Sequence, residues 1–101
     1  MTTQQVAQTI LQQLGGKRFT VMTGAKSFGF STNEQGNPRL SFKIGQNAKK
    51  ISFVSITLNE MDLYDIEFMN SKCNTVKTVE GVYCENLQEV FTDATGLETH
   101  L

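Results

Sequence analysis

Four acidic residues crowd into one short stretch of the chain, namely Glu60, Asp62, Asp65 and Glu67. Carboxylates gathered in this way are the ligands that hold Mg²⁺ in metal-dependent nucleases. The lysine that usually accompanies such a site is missing at close spacing, since Lys72 lies five residues beyond Glu67. The stretch is therefore predicted to be a solvated acidic hairpin, and its carboxylates are candidates for a protein-binding surface.

Basic residues are concentrated in the first half of the chain. Residues 1–50 hold seven basic residues and one acidic residue, a net charge of +6, whereas residues 51–101 hold two and nine, a net charge of −7. A basic surface binds nucleic-acid phosphates with an affinity that falls as salt rises. The candidates for such contacts are Lys17, Arg18, Lys26, Arg39, Lys43, Lys49 and Lys50. Interleaving of the two halves in one fold would instead mix the charges, and only Phe53 is expected to be available for base stacking.

Two glycine-containing segments resemble phosphate-binding loops in composition. A P-loop joins a strand to a helix, so that the amides at the helix start face the phosphate. Gly15-Gly16-Lys17 instead follows a predicted helix and precedes a predicted strand, which indicates a helix C-cap. Thr23-Gly24-Ala25-Lys26 is predicted to be a tight turn between two strands. An anion contact by its backbone N–H groups and the Lys26 ammonium is the alternative interpretation.

The cysteines and the histidine do not have the spacing of a catalytic or metal centre. Cys73, Cys84 and His100 are too few and too irregularly spaced for a structural zinc site, which takes four ligands. His100 lies one residue from the C-terminus, where a general base is poorly held. The absence of a visible export signal favours reduced thiols, and a disulfide between the two cysteines is left open. The sequence thus predicts a non-enzymatic protein without cofactor or metal.

Helices are predicted near both ends of the chain. The segment Thr2-Thr3-Gln4-Gln5 has the form of a capping box at a helix start. An apolar face follows at Val6, Ile10, Leu11 and Leu14, and Gly15 is expected to end this helix. A second helix is predicted to begin near Gly81 and to end at Gly96. Its apolar stripe consists of Tyr83, Leu87, Val90, Phe91 and Ala94.

Between the helices, apolar and polar side chains alternate, which is typical of half-buried strands. Strands are predicted at 18–22 and 27–31, joined as a hairpin through Gly24, and at 40–44, 51–58 and 63–69. Residues 75–80 are predicted to be either a sixth strand or a connection. The open face of the sheet is predicted to carry Thr20, Ser27, Ser41, Lys43, Ser55, Thr57, Asp65 and Glu67.

The order of these elements predicts a single α+β domain over residues 1–101. Because short turns rather than helical crossovers join the strands, we expect a mostly antiparallel sheet of five or six strands with both helices on one face. No segment is apolar over the roughly 20 residues that a membrane span needs, and no signal peptide is visible. The protein is therefore expected to stay in the cytoplasm.

Three segments resemble a family of small uncharacterised proteins of tailed bacteriophages and mobile elements. They are LGGKRFTVMTGAK at Leu14–Lys26, ITLNEMDLYDIEF at Ile56–Phe68 and GVYCENLQEVFTDATGL at Gly81–Leu97. The first of them has the pattern LGG-x-[KR]-F-x-x-MTGAK. The resemblance implies an accessory protein of a phage or prophage that acts inside the host cell, and it implies no catalytic residue.

Two binding functions follow from these observations. The first hypothesis is an accessory protein that binds a host or phage protein through the acidic hairpin and the open sheet face. The alternative is a protein that binds DNA or RNA through the basic residues of the first half. No membrane partner is predicted, and the oligomeric state is left open.

Overall fold

The computed structural model describes residues 2–47 and 49–97. Five strands pair in chain order as an antiparallel meander. These strands are β1 (Lys26–Thr32), β2 (Pro38–Lys43), β3 (Phe53–Leu58), β4 (Tyr64–Met69) and β5 (Thr75–Val82). The helices are α1 (Thr3–Leu14), α2 (Lys17–Thr23) and α3 (Leu87–Thr95), and a 3₁₀ turn (Cys84–Asn86) precedes α3. The predicted α+β class is confirmed, with five strands.

The helices and one face of the sheet enclose the hydrophobic core. At its centre lie four phenyl rings, with centroid distances of 5.1 to 6.5 Å along the contacts that link them. They belong to Phe19, Phe42, Phe68 and Phe91, and each is at most 2% exposed. Among the described residues, no helix combines the length and the hydrophobicity that crossing a bilayer requires.

Helix α1 begins with the predicted capping box. The hydroxyl of Thr2 accepts a hydrogen bond from the Gln5 backbone N–H at 3.1 Å, and the Gln5 side chain accepts one from the Thr2 N–H at 2.9 Å. These bonds satisfy two N–H groups that would otherwise lack a partner at the helix start. The predicted apolar face is confirmed, since Val6, Ile10 and Leu14 are buried.

The strand predicted at 18–22 is wrong, because this segment forms helix α2. In a strand, Phe19 and Val21 would face the same side, whereas Phe19 is fully buried and Val21 is 73% exposed. Phe19 and Thr23 are instead one helical turn apart and are both buried. The predicted hairpin through Gly24 is therefore also wrong, since Gly24 ends α2 in the left-handed conformation.

The central strands β2, β3 and β4 agree with the predicted alternation. In the central strands, Leu40, Val54, Ile56 and Ile66 are buried, while Ser41 and Ser55 face each other on the open side with their hydroxyl oxygens 3.3 Å apart. Of the predicted open-face residues, Thr20 is misplaced, because it lies on α2.

The end of the chain differs from the prediction in where the last helix begins. Residues 75–80, left open between a strand and a connection, belong to β5, which runs to Val82. The last helix therefore starts later than Gly81, and Tyr83 is exposed rather than part of the apolar stripe. The predicted end at Gly96 is confirmed, since this residue caps α3 in the left-handed conformation.

The four strand connections share one asparagine-based turn. In each, an asparagine side chain accepts a hydrogen bond from the backbone N–H four residues further on, and the asparagine carbonyl accepts one from the N–H three residues on. In three of the four, the side chain also accepts a bond from the N–H two residues on. The asparagines are Asn33, Asn47, Asn59 and Asn70. The third residue after each one has a positive φ, and these residues are Gly36, Lys50, Asp62 and Cys73. Each turn thus needs a left-handed residue, and only one of the four supplies glycine.

This geometry predicts that Cys73→Gly stabilises the protein. Cys73 has a φ of 62°, a conformation that costs a residue with a Cβ about 1–2 kcal/mol. Glycine removes that cost, but its larger entropy in the unfolded chain offsets part of the benefit. We therefore expect a net gain of about 0.5–1 kcal/mol in the free energy of unfolding, measured by urea denaturation. Cys84→Gly, the same exchange in the 3₁₀ turn, should destabilise the protein instead. Equal effects of the two substitutions would contradict the prediction.

Candidate functional site

Acidic residues gather at one end of the sheet, which we call the acidic end. It consists of the β1–β2 and β3–β4 turns, the strand ends beside them and the segment after β5. Its acidic residues are Glu34, Glu60, Asp62, Asp65, Glu80 and Glu85. The only basic residue in these segments is Arg39, which lies opposite Thr57 in the strand register.

Lysines gather at the other end of the same strands, which we call the lysine end. It consists of the start of β1, the β2–β3 and β4–β5 turns and the strand ends beside them. Its basic residues are Lys26, Lys43, Lys49, Lys50, Lys72 and Lys77, and all are exposed. Strands of about six residues separate the two ends by roughly 20 Å. The sheet therefore carries opposite charges at its two ends.

The predicted basic set is divided by this arrangement. Four of its members lie at the lysine end: Lys26, Lys43, Lys49 and Lys50. Lys17 and Arg18 lie at the start of α2, at the far end of that helix from Lys26. Arg39 belongs to the acidic end. The structure thus supports a basic surface that is smaller than the predicted one and includes Lys72 and Lys77, which the sequence analysis did not include.

Arg39 lines a polar depression on the open face of the sheet. Its Nε donates a hydrogen bond to Thr57 Oγ1 at 3.2 Å. The depression has a volume of about 250 Å³, and carboxylates of Asp65, Glu67 and Glu80 line it together with Arg39. An arginine surrounded by carboxylates is a poor contact for a phosphate, because the acids repel the anion. Arg39 therefore does not extend the lysine end into a continuous basic surface.

The predicted acidic set is divided as well. Asp65 Oδ1 accepts hydrogen bonds from Asn59 Nδ2 and from the Gly81 backbone N–H, both at 3.1 Å, so this carboxylate joins the β3–β4 turn to β5. Glu67 lies in the middle of the open face, opposite Ser55. Glu60 and Asp62 are exposed in the β3–β4 turn. Glu60 and Asp62 are therefore the exposed members of the set in the turn, and Glu67 is exposed on the open face.

Two large apolar side chains are exposed at the acidic end. Met61, at the tip of the β3–β4 turn, is 79% exposed, and Tyr83, directly after β5, is 57% exposed. The two segments are neighbours, because Tyr64 pairs with Val82 in the strand register. Neither residue is among the predicted binding residues, since Met61 belongs to the predicted acidic turn and Tyr83 to the predicted apolar stripe of the last helix. Only the structure shows that β5 continues to Val82 and leaves Tyr83 outside the helix.

Beneath the acidic end, a buried hydroxyl joins α1 to the sheet. Tyr64 Oη donates a hydrogen bond to Gln13 Oε1 at 2.5 Å. Burial raises the pKa of the Tyr64 hydroxyl, the nearby Cys84 adds to this rise, and the bond to Gln13 opposes it. The group is therefore neutral at physiological pH and acts as a donor that holds α1 in place.

The described residues contain no group of three or more histidine, cysteine or acidic side chains placed to bind a metal ion. Cys73 and Cys84 are both free and exposed. They lie at opposite ends of β5, about 25 Å apart at 3.3 Å per residue, whereas a disulfide needs Cα atoms within about 7 Å. The disulfide left open by the sequence therefore cannot form within one chain in this fold. His100 lies outside the described residues.

The first glycine segment is the predicted helix C-cap, since Gly15 ends α1, but the second is not the predicted turn between two strands. Gly15 and Gly16 join α1 to α2, so the element after them is a helix and not a strand. A P-loop also needs a strand before the glycines, whereas helix α1 precedes them here. In the second segment Thr23 and Ala25 are buried, and the Thr23 carbonyl accepts a hydrogen bond from the Gly45 N–H at 2.8 Å. This segment is a packed helix end and not an exposed turn.

Comparison of the chain with protein-family models, with curated proteins and with solved structures finds no match.

Proposed function

We propose that this protein is a binding module that holds a partner protein at its acidic end. The observation that carries the proposal is the exposure of Met61 and Tyr83 among carboxylates. The partner would offer a segment that combines lysine or arginine with an apolar side chain. In line with the resemblance noted above, a host or phage protein would provide this segment.

The apolar residues supply the main argument for a protein partner. Methionine and tyrosine are enriched at protein interfaces, where they bury a large area at a small cost in conformational entropy. A methionine also adapts its flexible side chain to differently shaped partners. Met61 and Tyr83 are therefore suited to the centre of an interface.

The carboxylates around them define the charge of the partner. Four of these carboxylates are exposed, those of Glu60, Asp62, Glu80 and Glu85. Asp65 has a structural role, because it accepts hydrogen bonds from Asn59 and Gly81. Exposed charges at the rim of an interface mainly raise the rate of association and exclude partners of the same sign. A basic segment would therefore be attracted, and an acidic one would be rejected.

A selection from a displayed random-peptide library tests this proposal. We expect enrichment of peptides with two or more lysine or arginine residues close to an aromatic or long aliphatic one. Met61→Ala and Tyr83→Ala should each weaken the binding of such a peptide by about fivefold or more, as truncation of a central interface residue does. Binding would be measured by fluorescence anisotropy.

Val21→Ala is the matched control, because Val21 is also highly exposed but lies on α2. Its dissociation constant should equal that of the unsubstituted protein. If the selected peptides are acidic, or if they bind the Met61 and Tyr83 variants as tightly as the original protein, the acidic end is not the binding surface.

A further inference from the structure

At the lysine end, three separate chain segments carry basic residues and no acidic ones. Residues 24–28, 42–53 and 68–77 together contain six lysines and no acidic residue. The fold brings these segments to one end because β1, β3 and β5 begin there and β2 and β4 end there. This concentration of positive charge is a property of the fold and goes beyond the binding function proposed for the opposite end.

Two of the lysines occupy facing positions in the sheet. Lys26 and Lys43 are cross-strand partners in the pairing of β1 with β2. Like charges in facing positions of a sheet destabilise it. An anion bound between them would turn this repulsion into two attractive contacts, so the free protein is already arranged for a negatively charged partner.

The side chain of Asn47 links the two ends of the connection that carries Lys49 and Lys50. Asn47 Nδ2 donates hydrogen bonds to the carbonyls of Gly45 and Ile51 at 3.0 and 2.7 Å, and Asn47 Oδ1 accepts one from the Ile51 N–H at 3.0 Å. Beside this loop lies a depression of about 400 Å³, lined by polar groups that include Lys50, Ser52 and Ser71. The bonds of Asn47 restrain both ends of this connection, which lowers the entropy that is lost when an anion binds.

A partly exposed aromatic ring adjoins the lysines on the open face. Phe53 lies opposite Lys43 in the strand register, and the Lys43 ammonium lies 5.4 Å from the centre of its ring. A nucleobase that replaced the ammonium would stack on this ring and would free Lys43 for a phosphate. Only unpaired bases can stack in this way, because the bases of a duplex are already stacked on one another.

We propose that the lysine end binds single-stranded nucleic acid, with the lysines on its phosphates and Phe53 under one base. Lysine is a point charge on a flexible chain and does not read base edges in the paired manner of arginine, so the binding is independent of sequence. Lys17, Arg18 and Arg39 take no part, because they lie elsewhere in the fold.

Fluorescence anisotropy with a labelled oligothymidylate of about 15 nucleotides tests this proposal in the full-length protein. Contacts with three to six phosphates predict a slope of about −2 to −4 in a plot of log affinity against log salt concentration. The double substitution Lys49→Gln with Lys50→Gln should weaken binding at least fivefold and reduce the slope. Phe53→Leu should weaken binding by about five- to 150-fold, which is the range for loss of one base–aromatic stack.

The matched control is Lys17→Gln with Arg18→Gln, which removes the same charge from the start of α2. This variant should keep the original affinity. Equal losses in the two double variants would show that net charge alone attracts the oligonucleotide, and would overturn the proposal. So would an unchanged affinity in Phe53→Leu, or a duplex of the same length that binds as tightly as the single strand.

Two further measurements distinguish a loss of binding from a loss of folding and from effects at the acidic end. Circular dichroism shows whether the Phe53 variant is folded, and Lys43→Gln, an exposed substitution next to the same ring, should weaken binding even if Phe53→Leu does not fold. The Met61→Ala and Tyr83→Ala variants should bind the oligonucleotide normally, since they alter the opposite end. Failure of the peptide-binding proposal would therefore leave this one unaffected, and the reverse also holds.

Discussion

Replacement of Phe19 by alanine is expected to lower the free energy of unfolding by about 3–5 kcal/mol. The side chain is fully buried, and its ring makes edge contacts with Phe42 at 5.4 Å and with Phe91 at 5.1 Å. It therefore joins α2, β2 and α3 at one point. A smaller side chain would leave a cavity and would remove both aromatic contacts. A domain of this size has a total stability of about 5–15 kcal/mol, so the variant would be marginally folded.

Urea denaturation followed by circular dichroism would measure this loss, with Phe30→Ala as the matched control. Phe30 undergoes the same chemical change, but its side chain is 49% exposed on the outer strand β1. We expect the control to cost about 1 kcal/mol, since less apolar area is lost from the interior. Similar costs for the two variants would mean that α2 is not docked on the core through Phe19.

The alternation of side chains was sufficient to predict the central strands. In β3 and β4 the apolar residues recur at every second position and the buried face is continuous from Val54 to Ile66. A shift of one residue in the pairing would expose this whole face, so the pattern fixes both the strands and their register. The capping box at Thr2 was equally informative, because its two hydrogen bonds depend only on residues three positions apart.

Helix α2 could not be predicted in this way, because its seven residues are too few to distinguish the helical period of about 3.6 residues from the strand period of about 2. Phe19, Thr20 and Val21 favour a strand by intrinsic propensity. The contact of Phe19 with Phe42 and Phe91 is formed across the core, and it outweighs this local preference. The contact is invisible in the sequence, since its partners lie far away along the chain.

The distribution of charge was also visible only in part. The sequence shows a basic first half and an acidic second half. The meander interleaves segments from both halves, as the mixed-charge interpretation expected, but most of the charges separate by sign between the two ends of the sheet. Lys72 and Lys77 from the acidic half join the lysine end, whereas Glu34 and Arg39 from the basic half join the acidic end. Which of the two surfaces a charged residue joins therefore depends on the end of the strand near which it lies, and not on the half of the sequence to which it belongs.

Gly24→Ala is expected to be the second strongly destabilising substitution. Gly24 has a φ of 69°, which costs a residue with a Cβ about 1–2 kcal/mol. A Cβ at this position would also lie 3.3 Å from the backbone N and Cα of Gly45. The backbone of Gly45 is held in this position, because its N–H donates a hydrogen bond to the Thr23 carbonyl at 2.8 Å. We therefore expect a total loss of about 2–3 kcal/mol in the free energy of unfolding, measured by urea denaturation.

Gly36→Ala separates the two causes of this loss. Gly36 has a φ of 81°, but a Cβ there would meet no atom within 4 Å. This control carries the conformational cost alone, about 1–2 kcal/mol, so the difference between the two variants measures the close approach of α2 to the chain that leaves β2. That approach also fixes Gly45, which stands at the start of the loop with Lys49 and Lys50. Gly24→Ala should therefore weaken oligonucleotide binding as well, whereas Gly36→Ala, at the acidic end, should leave it unchanged.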